Sequence, residues 1–376
     1  MEHLSAAKRH LRFSPTCRLM GLECVRAKMR VIVAGYYGFG NGGDEALLLS
    51  VLQMLPAKAE PIVLSQRPLH TEQQYGVKAI DRWNGWQVLR LLRSADVFIW
   101  GGGSLMQDSS SWRNPLYYGG LMGLAQLLGL RTVAWAQGIG PLQWRWTRWL
   151  ARHCLQGCTA VSVRDRASAA LLDRWNISYT LAPDPVWALA AKDYSSTWPE
   201  LAIAIVLRTH PLLTCERLAV LQQALVQLQV ATKAHLVLMP FQSSDLGIAQ
   251  QLHAAMSSTA QIVCVDDPRQ LKGALRQVEL AIAMRLHGLI LAAAEGVPVF
   301  GLSYDPKVTQ LLEEQNLPGY ELSDLPTDPA EIARNWLAQF GQQGLDGERR
   351  EALQQRALLH QQVLERVCSA SSVSDE

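Results

Sequence analysis

Charge is what this 376-residue chain has least of: Asp, Glu, Lys and Arg make up 18% of it, and 35 basic side chains against 33 acidic ones leave +2. Soluble proteins usually carry about a quarter charged residues. So low and balanced a charge excludes a histone-like polycation, an acidic tail and a disordered chain. Cysteine is sparse too. Seven thiols, from Cys17 to Cys368, have no frame and make no disulfide scaffold; they read as small core residues in a reducing compartment. The tightest group, His153-Cys154 with Cys158, lacks the second cluster that a tetrahedral zinc site needs. No run approaches 18 uninterrupted apolar residues, so no membrane span is expected.

The first 29 residues also lack something. They carry Lys8, Arg9, Arg12, Arg18, Arg26 and Lys28 without the continuous apolar segment of a secretory signal, and Glu2 and Glu23 fit a transit peptide poorly. Residues 1–29 are expected to be a poorly ordered extension or an upstream start, with the folded chain opening at MRVIVAGYYG.

What the chain has is hydrophobic residue, 49% of the total, enough for a large core and more natural to two domains than one. VIVAG at 31–35 is a short β-branched run ending at glycine. Behind it, Leu47, Leu48, Val51, Leu52 and Leu55 repeat at helical spacing. Strand, glycine turn and helix recur through PIVLS (61–65), ADVFIWGGGS (95–104), RTVAWAQGIG (131–140) and CTAVSVRD (158–165). A proline-bearing stretch, TLAPDPVWALAAKDYSSTWPE, reads as a linker. A second series follows with LAIAIVLR (201–208), HLVLMPFQ (235–242), QIVCVDD (261–267) and VELAIAMRLHGLILAAAEGVPVFGLSYD. Near-continuous apolar strands alternating with helices predict parallel sheets covered on both faces. The expected division is a first α/β domain over 30–190 and a second over 191–350, then a helix and polar tail over 351–376. A single eight-unit barrel is the alternative.

Ligands of open α/β sheets gather beyond the carboxyl ends of strands, which directs attention to a few segments. GYYGFGNGGDEALL (35–48) has neither a dinucleotide nor a Walker spacing. Its glycines, Gly42 and Gly43 in particular, can still bring backbone N–H groups to an anion at a helix start. Asp44 reads either as the cap of that helix or as a functional carboxylate. Ser104 and Asp108 in GGGSLMQD suit a phosphate or sugar oxygen and a hydroxyl; Gln137 in QGIG reads either as a ligand contact or as the residue that holds its turn. Arg164 in SVRDRAS offers a fork for an oxyanion. AMRLHG and GLSYDPK bring Arg285, His287 and Lys307 to neighbouring strand ends, an anion-binding and proton-transfer set. WRWTRWLARH interleaves Trp144, Trp146 and Trp149 with Arg145, Arg148 and Arg152, which fits a membrane surface, a glycan or core packing with snorkelling arginines. No basic groove for nucleic acid is evident.

Taken together and in order, GYYGFGNGGDEA, GGGSLMQD, AQGIGPL, SVRDRAS, APDPVW, MRLHG and GLSYDPKV resemble the polysaccharide pyruvyl transferase family, over roughly residues 30–320. The resemblance is strongest to the branch that modifies cell-surface polysaccharides. It implies two Rossmann-like domains in a glycosyltransferase-B-like arrangement. It further implies transfer of a pyruvyl group from phosphoenolpyruvate to a saccharide as a cyclic ketal. His287, Asp44 and Arg164 are the expected catalytic residues. Arg164, Arg285, Lys307, Gly42, Gly43 and Ser104 are expected on the donor, and Tyr37, Asp108 and Gln137 on the acceptor. No cofactor and no metal are implied; phosphoenolpyruvate is the donor substrate. The partners expected are that donor and a soluble or lipid-linked saccharide, with no nucleic acid. The expected location is cytoplasmic, reaching the inner face of the cytoplasmic membrane where the acceptor is lipid-linked. A nucleotide-sugar glycosyltransferase and a noncatalytic glycan-binding protein are the alternatives.

Overall fold

The computed structural model describes residues 28–369 except 110, 196, 197, 199, 200, 257 and 258. The expectation for residues 1–29 therefore lies outside it but for Lys28 and Met29, as does the polar tail beyond Ser369. Apolar, β-branched runs form the strands of a first, wholly parallel sheet: β1 (Met29–Ala34), β2 (Ala59–Ser65), β3 (Lys78–Asp81), β4 (Val97–Gly103), β5 (Arg131–Gln137), β6 (Ala160–Val163) and β7 (Thr180–Leu181). Their order is β3-β2-β1-β4-β5-β6-β7, and the reversal at β1 is a topological switch point. The helices between them are α1 (Gly42–Met54), α2 (Pro68–Tyr75), α3 (Gly85–Leu92), α4 (Arg113–Leu127), α5 (Arg145–Gln156) and α6 (Arg166–Arg174).

A second parallel sheet repeats the design in the order β10-β9-β8-β11-β12-β13. It contains β8 (Ala202–Val206), β9 (His235–Leu238), β10 (Ala260–Ile262), β11 (Leu280–Ala283), β12 (Val299–Ser303) and β13 (Gly319–Glu321). Its helices are α7 (Cys215–Thr232), α8 (Leu246–Ala255), α9 (Pro268–Leu275), α10 (Leu286–Ala294), α11 (Pro306–Gln315) and α12 (Pro329–Gln339). The fold is thus two Rossmann-like units, not a barrel. The single helix expected at 351–368 is two, α13 (Gly347–Ala357) and α14 (Leu359–Ser369), separated at Leu358. That break lets α14 turn back onto the first sheet, where Arg131 Nη1 and Trp135 Nε1 donate to the carbonyls of Val367 and His360.

Helix α1 sits between the two units. Leu48, Val51 and Met54 join the core of the first sheet, while Ala46, Leu47 and Leu49 join Leu271, Ile290 and Val206 of the second. A helix apolar around its circumference must be buried on every side, and this one points its N-terminus at the gap between the sheets. The stretch read as a linker takes part as well. Val186 and Trp187 form a 3₁₀ turn that packs in the same shared cluster.

Candidate active site

The carboxyl ends of both sheets open into one cleft of about 570 Å³, bordered by Asp44, Ser104, Arg164, Arg208, Arg285, His287 and Lys307. Each follows a strand directly or by a short turn, because a parallel sheet brings all its strand ends to one edge.

At the centre stand three side chains from three segments. Arg164 Nη1 lies 2.5 Å from Asp184 Oδ2, with both side chains buried, and 3.3 Å from His287 Nε2. The same Asp184 oxygen is 3.5 Å from His287 Nε2. Burial alone would raise the proton affinity of Asp184, but Arg164 and His287, with the Val186 N–H, override it and hold the carboxyl well below its usual range. His287 reaches this position only because Gly43 has no side chain. A Cβ there would stand 2.9 and 3.2 Å from His287 Cγ and Cβ, and nearer still to Nδ1. The histidine of the second sheet is therefore seated against the first turn of α1.

Asp44 faces this cluster. Burial raises its pKa, and the positive charges of His287, Arg164, Arg285 and Lys307 pull it back in part. Asp44 does not cap α1: the cap is Asn41, whose side chain accepts from the Gly43 N–H at 3.1 Å. Lys307 is lowered by burial, against the pull of Asp305. Asp305 itself caps α11 by accepting from the Lys307 N–H. Ser104 Oγ is buried at the cleft and makes no hydrogen bond within the protein, so it is available to a ligand.

Several expectations need correction. The N–H groups of Gly42 and Gly43 are not free for an anion, since Gly42 donates to Phe241 O at 2.7 Å and Gly43 to Asn41. The Arg285 fork, expected on the donor, grips Asp245 through Nε and Nη2, each at 2.7 Å, although its side chain still borders the cleft. Asp108 is buried at the start of α5, accepting from the Gln143 and Trp144 N–H groups and the Thr147 hydroxyl. It holds a helix end rather than a sugar. Tyr37 lies behind the glycines: its hydroxyl donates to Gly101 O, and side chains at Gly35 or Gly101 would collide with its ring or hydroxyl. Gln137 is turned inward to the Trp100 and Trp135 carbonyls. There Ala136 adopts φ 48° and the register between β5 and β6 shifts, which breaks the two-residue alternation of a strand.

Two residues were not singled out from the sequence: Asp184, which stands behind the cleft against Arg164 and His287, and Arg208, which borders it. Asp184 was hidden in the apparent linker, where only the APDPVW motif marked it. Arg208 ends the apolar run LAIAIVLR, the same signal that marked Arg164; its Nη1 donates to Tyr304 Oη at 2.9 Å and its guanidinium covers the Tyr304 ring.

The chain was compared with known proteins. The model of one family, described as polysaccharide pyruvyl transferase, matches residues 41–306. No curated relative matches in sequence. Among solved structures, S. aureus MnaA with UDP is similar at a TM-score of 0.60 and 12% identity, covering 90% of this chain and 95% of that one. The UDP-GlcNAc 2-epimerase of Methanocaldococcus jannaschii gives 0.59 and 9%, over 90% and 99%. A glycosyltransferase from Rickettsia africae gives 0.54 and 12%, over 91% and 100%. Likeness at such identities establishes the shared two-unit fold.

Proposed function

Since the chain belongs to the polysaccharide pyruvyl transferase family, we propose that it moves the pyruvyl group of phosphoenolpyruvate onto two hydroxyls of a saccharide, as a cyclic ketal, in cell-surface polysaccharide synthesis. It is a transferase with a saccharide acceptor; the donor, the ketal and the residue roles are our reading. The observation that supports it best is the meeting of Arg164, His287 and Lys307 opposite Asp44 in one cleft.

In this reading the donor's carboxylate and phosphate lie against Arg164 and Lys307, where fixed cations are worth more than in water. A proton passes to the methylene carbon of the donor, and the central carbon gains positive character. An acceptor hydroxyl attacks that carbon and gives up its proton; a second hydroxyl then displaces phosphate and closes the ketal. His287 supplies or relays the first proton, with Asp184 beside it to offset the imidazolium charge. Asp44, whose burial raises its hold on a proton, orients or deprotonates the attacking hydroxyl. Ser104 supplies a hydroxyl to the ligand. An acceptor on a lipid carrier brings the enzyme to the inner face of the cytoplasmic membrane.

Incubation with phosphoenolpyruvate and a panel of soluble and lipid-linked glycans tests this. We expect release of phosphate and, by mass spectrometry, one pyruvyl ketal on the acceptor. His287→Ala is expected to lower turnover by about 10²–10⁴-fold in a folded protein. Sugar transfer from a nucleotide donor with no pyruvyl product would overturn the proposal in favour of a glycosyltransferase.

A further inference from the structure

Helices α3, α4 and α5 cover one side of the first sheet, where Val88, Met122 and Ala151 share a buried cluster. Their outward side is unlike an ordinary water-facing surface. A surface helix normally turns charged or polar residues to solvent, yet no charged residue lies between Arg113 and Arg131. What α4 turns outward is Leu116, Gly120, Gly123 and Leu127, one stripe at helical spacing. Leu116 is 53% and Leu127 86% exposed, and nothing lies within 4 Å of where a side chain would start at Gly120 or Gly123.

Tryptophan and arginine frame this stripe. Every exposed tryptophan among the described residues is here: Trp83 and Trp86 at α3, Trp112 at the start of α4, and Trp144, Trp146 and Trp149 at α5. Arg90 lies over Trp86 and Arg113 over Trp112, while Arg145 and Arg152 are exposed on α5. Six arginines, Arg90, Arg93, Arg113, Arg145, Arg148 and Arg152, are exposed on or beside these helices; the other three in residues 82–164 lie elsewhere, Arg82 and Arg164 buried and Arg131 against α14, and the same stretch holds only two carboxylates. Of those, Asp96 accepts from the Arg30 N–H and Asp108 is buried beneath α5. A chain with almost no net charge has thus gathered positive charge on one face.

We propose that this face docks on the surface of an anionic bilayer. Tryptophan rings sit at the headgroup level, arginines pair with lipid phosphates, and the leucine–glycine stripe enters the acyl boundary between them. A nucleic acid or an acidic glycan would satisfy the arginines and leave the stripe in water. No helix among the described residues is long and apolar enough to cross a membrane. The face is continuous with the cleft, because Ser111 and Asn114, on either side of Trp112 and Arg113, border it. Docking therefore holds the cleft mouth at the height of a sugar on a lipid carrier. This last point rests on the proposed pyruvyl transfer to a lipid-linked acceptor; the docking itself does not.

Co-sedimentation of the full chain with vesicles tests it without turnover. The wild type is expected to pellet with phosphatidylcholine–phosphatidylglycerol vesicles, to release as salt rises, and to ignore phosphatidylcholine alone. Each of Arg145→Ala and Arg152→Ala should lower the partition coefficient about fivefold, and Leu127→Asp should weaken it further. All three positions are exposed, so unchanged melting temperatures are expected, and the arginine pair serves should Leu127→Asp misfold. Absence of vesicle binding, or binding that these variants leave intact, would overturn the proposal. So would a light-scattering dimer that Leu127→Asp disperses without any vesicle binding, which assigns the face to a second copy. Loss of docking leaves pyruvyl transfer to a soluble acceptor standing, and the converse holds equally.

Discussion

Adding one methyl group at Gly43 is expected to do to His287 what removing the imidazole does, and through a contact between α1 and α10, helices of the two units. The new Cβ would stand 2.9 Å from His287 Cγ and 3.2 Å from its Cβ, with Nδ1 closer. Because the root of the side chain is hit as well as the ring, a rotamer change alone does not relieve the clash. His287 must move as a whole, by roughly the 1 Å that can cost a catalytic group 10²-fold. Overpacking at such a site costs about 1–3 kcal/mol, and replacing glycine in a helix returns up to about 1 kcal/mol. In a His287→Ala background the contacts with the ring disappear, and only the 3.2 Å approach to the Cβ that alanine keeps is set against the helical gain. Urea unfolding of the wild type, both single variants and the double variant should therefore give a coupling of about 1–3 kcal/mol, with Gly43→Ala close to neutral once the imidazole is gone. The reasoning fails if the two changes add within about 0.5 kcal/mol, or if Gly43→Ala alone keeps wild-type stability and turnover. The stability arm holds whatever the substrate proves to be.

Other perturbations separate support from chemistry. Asp245→Ala strands Arg285 in a buried site, and thermal unfolding should show a loss of about 3–5 kcal/mol; a loss under 1 kcal/mol would mean that the pair is solvated. Asp108→Ala should lower the unfolding free energy by the ~1 kcal/mol of a lost cap or more, with the acceptor KM unchanged, whereas a raised KM would restore Asp108 to the sugar site. Glu45 is pushed up to about 7, chiefly by burial, although its oxygens accept from the Gly38 N–H and the Tyr75 hydroxyl. The folded chain thus binds this proton more tightly than the unfolded one, so stability should fall as pH rises from about 4.5 to 7, by up to roughly 3 kcal/mol. Glu45→Gln should flatten that part of the stability–pH curve, and an unchanged slope would clear Glu45 of responsibility.

The strands and most helices were legible because local rules decide them: apolar β-branched runs stop at glycine, and leucines return at helical spacing. Arg164, His287 and Lys307 were legible for the same reason, since a charged residue directly behind such a run sits at the ligand edge of a sheet. Direction was not legible. Tyr37 and Gln137 lie among the same glycines as the cleft residues, but a bulge at Ala136 and the space left by Gly35 and Gly101 turn them inward. Asp184 was lost for a different reason. Its segment has no periodicity, and only packing of Trp187 and Val186 beneath α1 and α10, far away in sequence, carries the carboxylate to Arg164.

The return of α14 to the first sheet sets an order for biosynthesis. Val363, Leu364 and Val367 finish the core beside Val133 and Trp135, and the ring of His360 bridges Ser162 and the Pro183 carbonyl. A ribosome adding 5–20 residues per second therefore leaves one flank of the first sheet uncovered for roughly 10–45 s after Trp135 is made. During that interval the nascent chain presents valine and tryptophan to water, while the second sheet assembles ahead of the missing helix. The first unit to be translated is the last to be sealed, and chaperone occupancy should track that delay along the message.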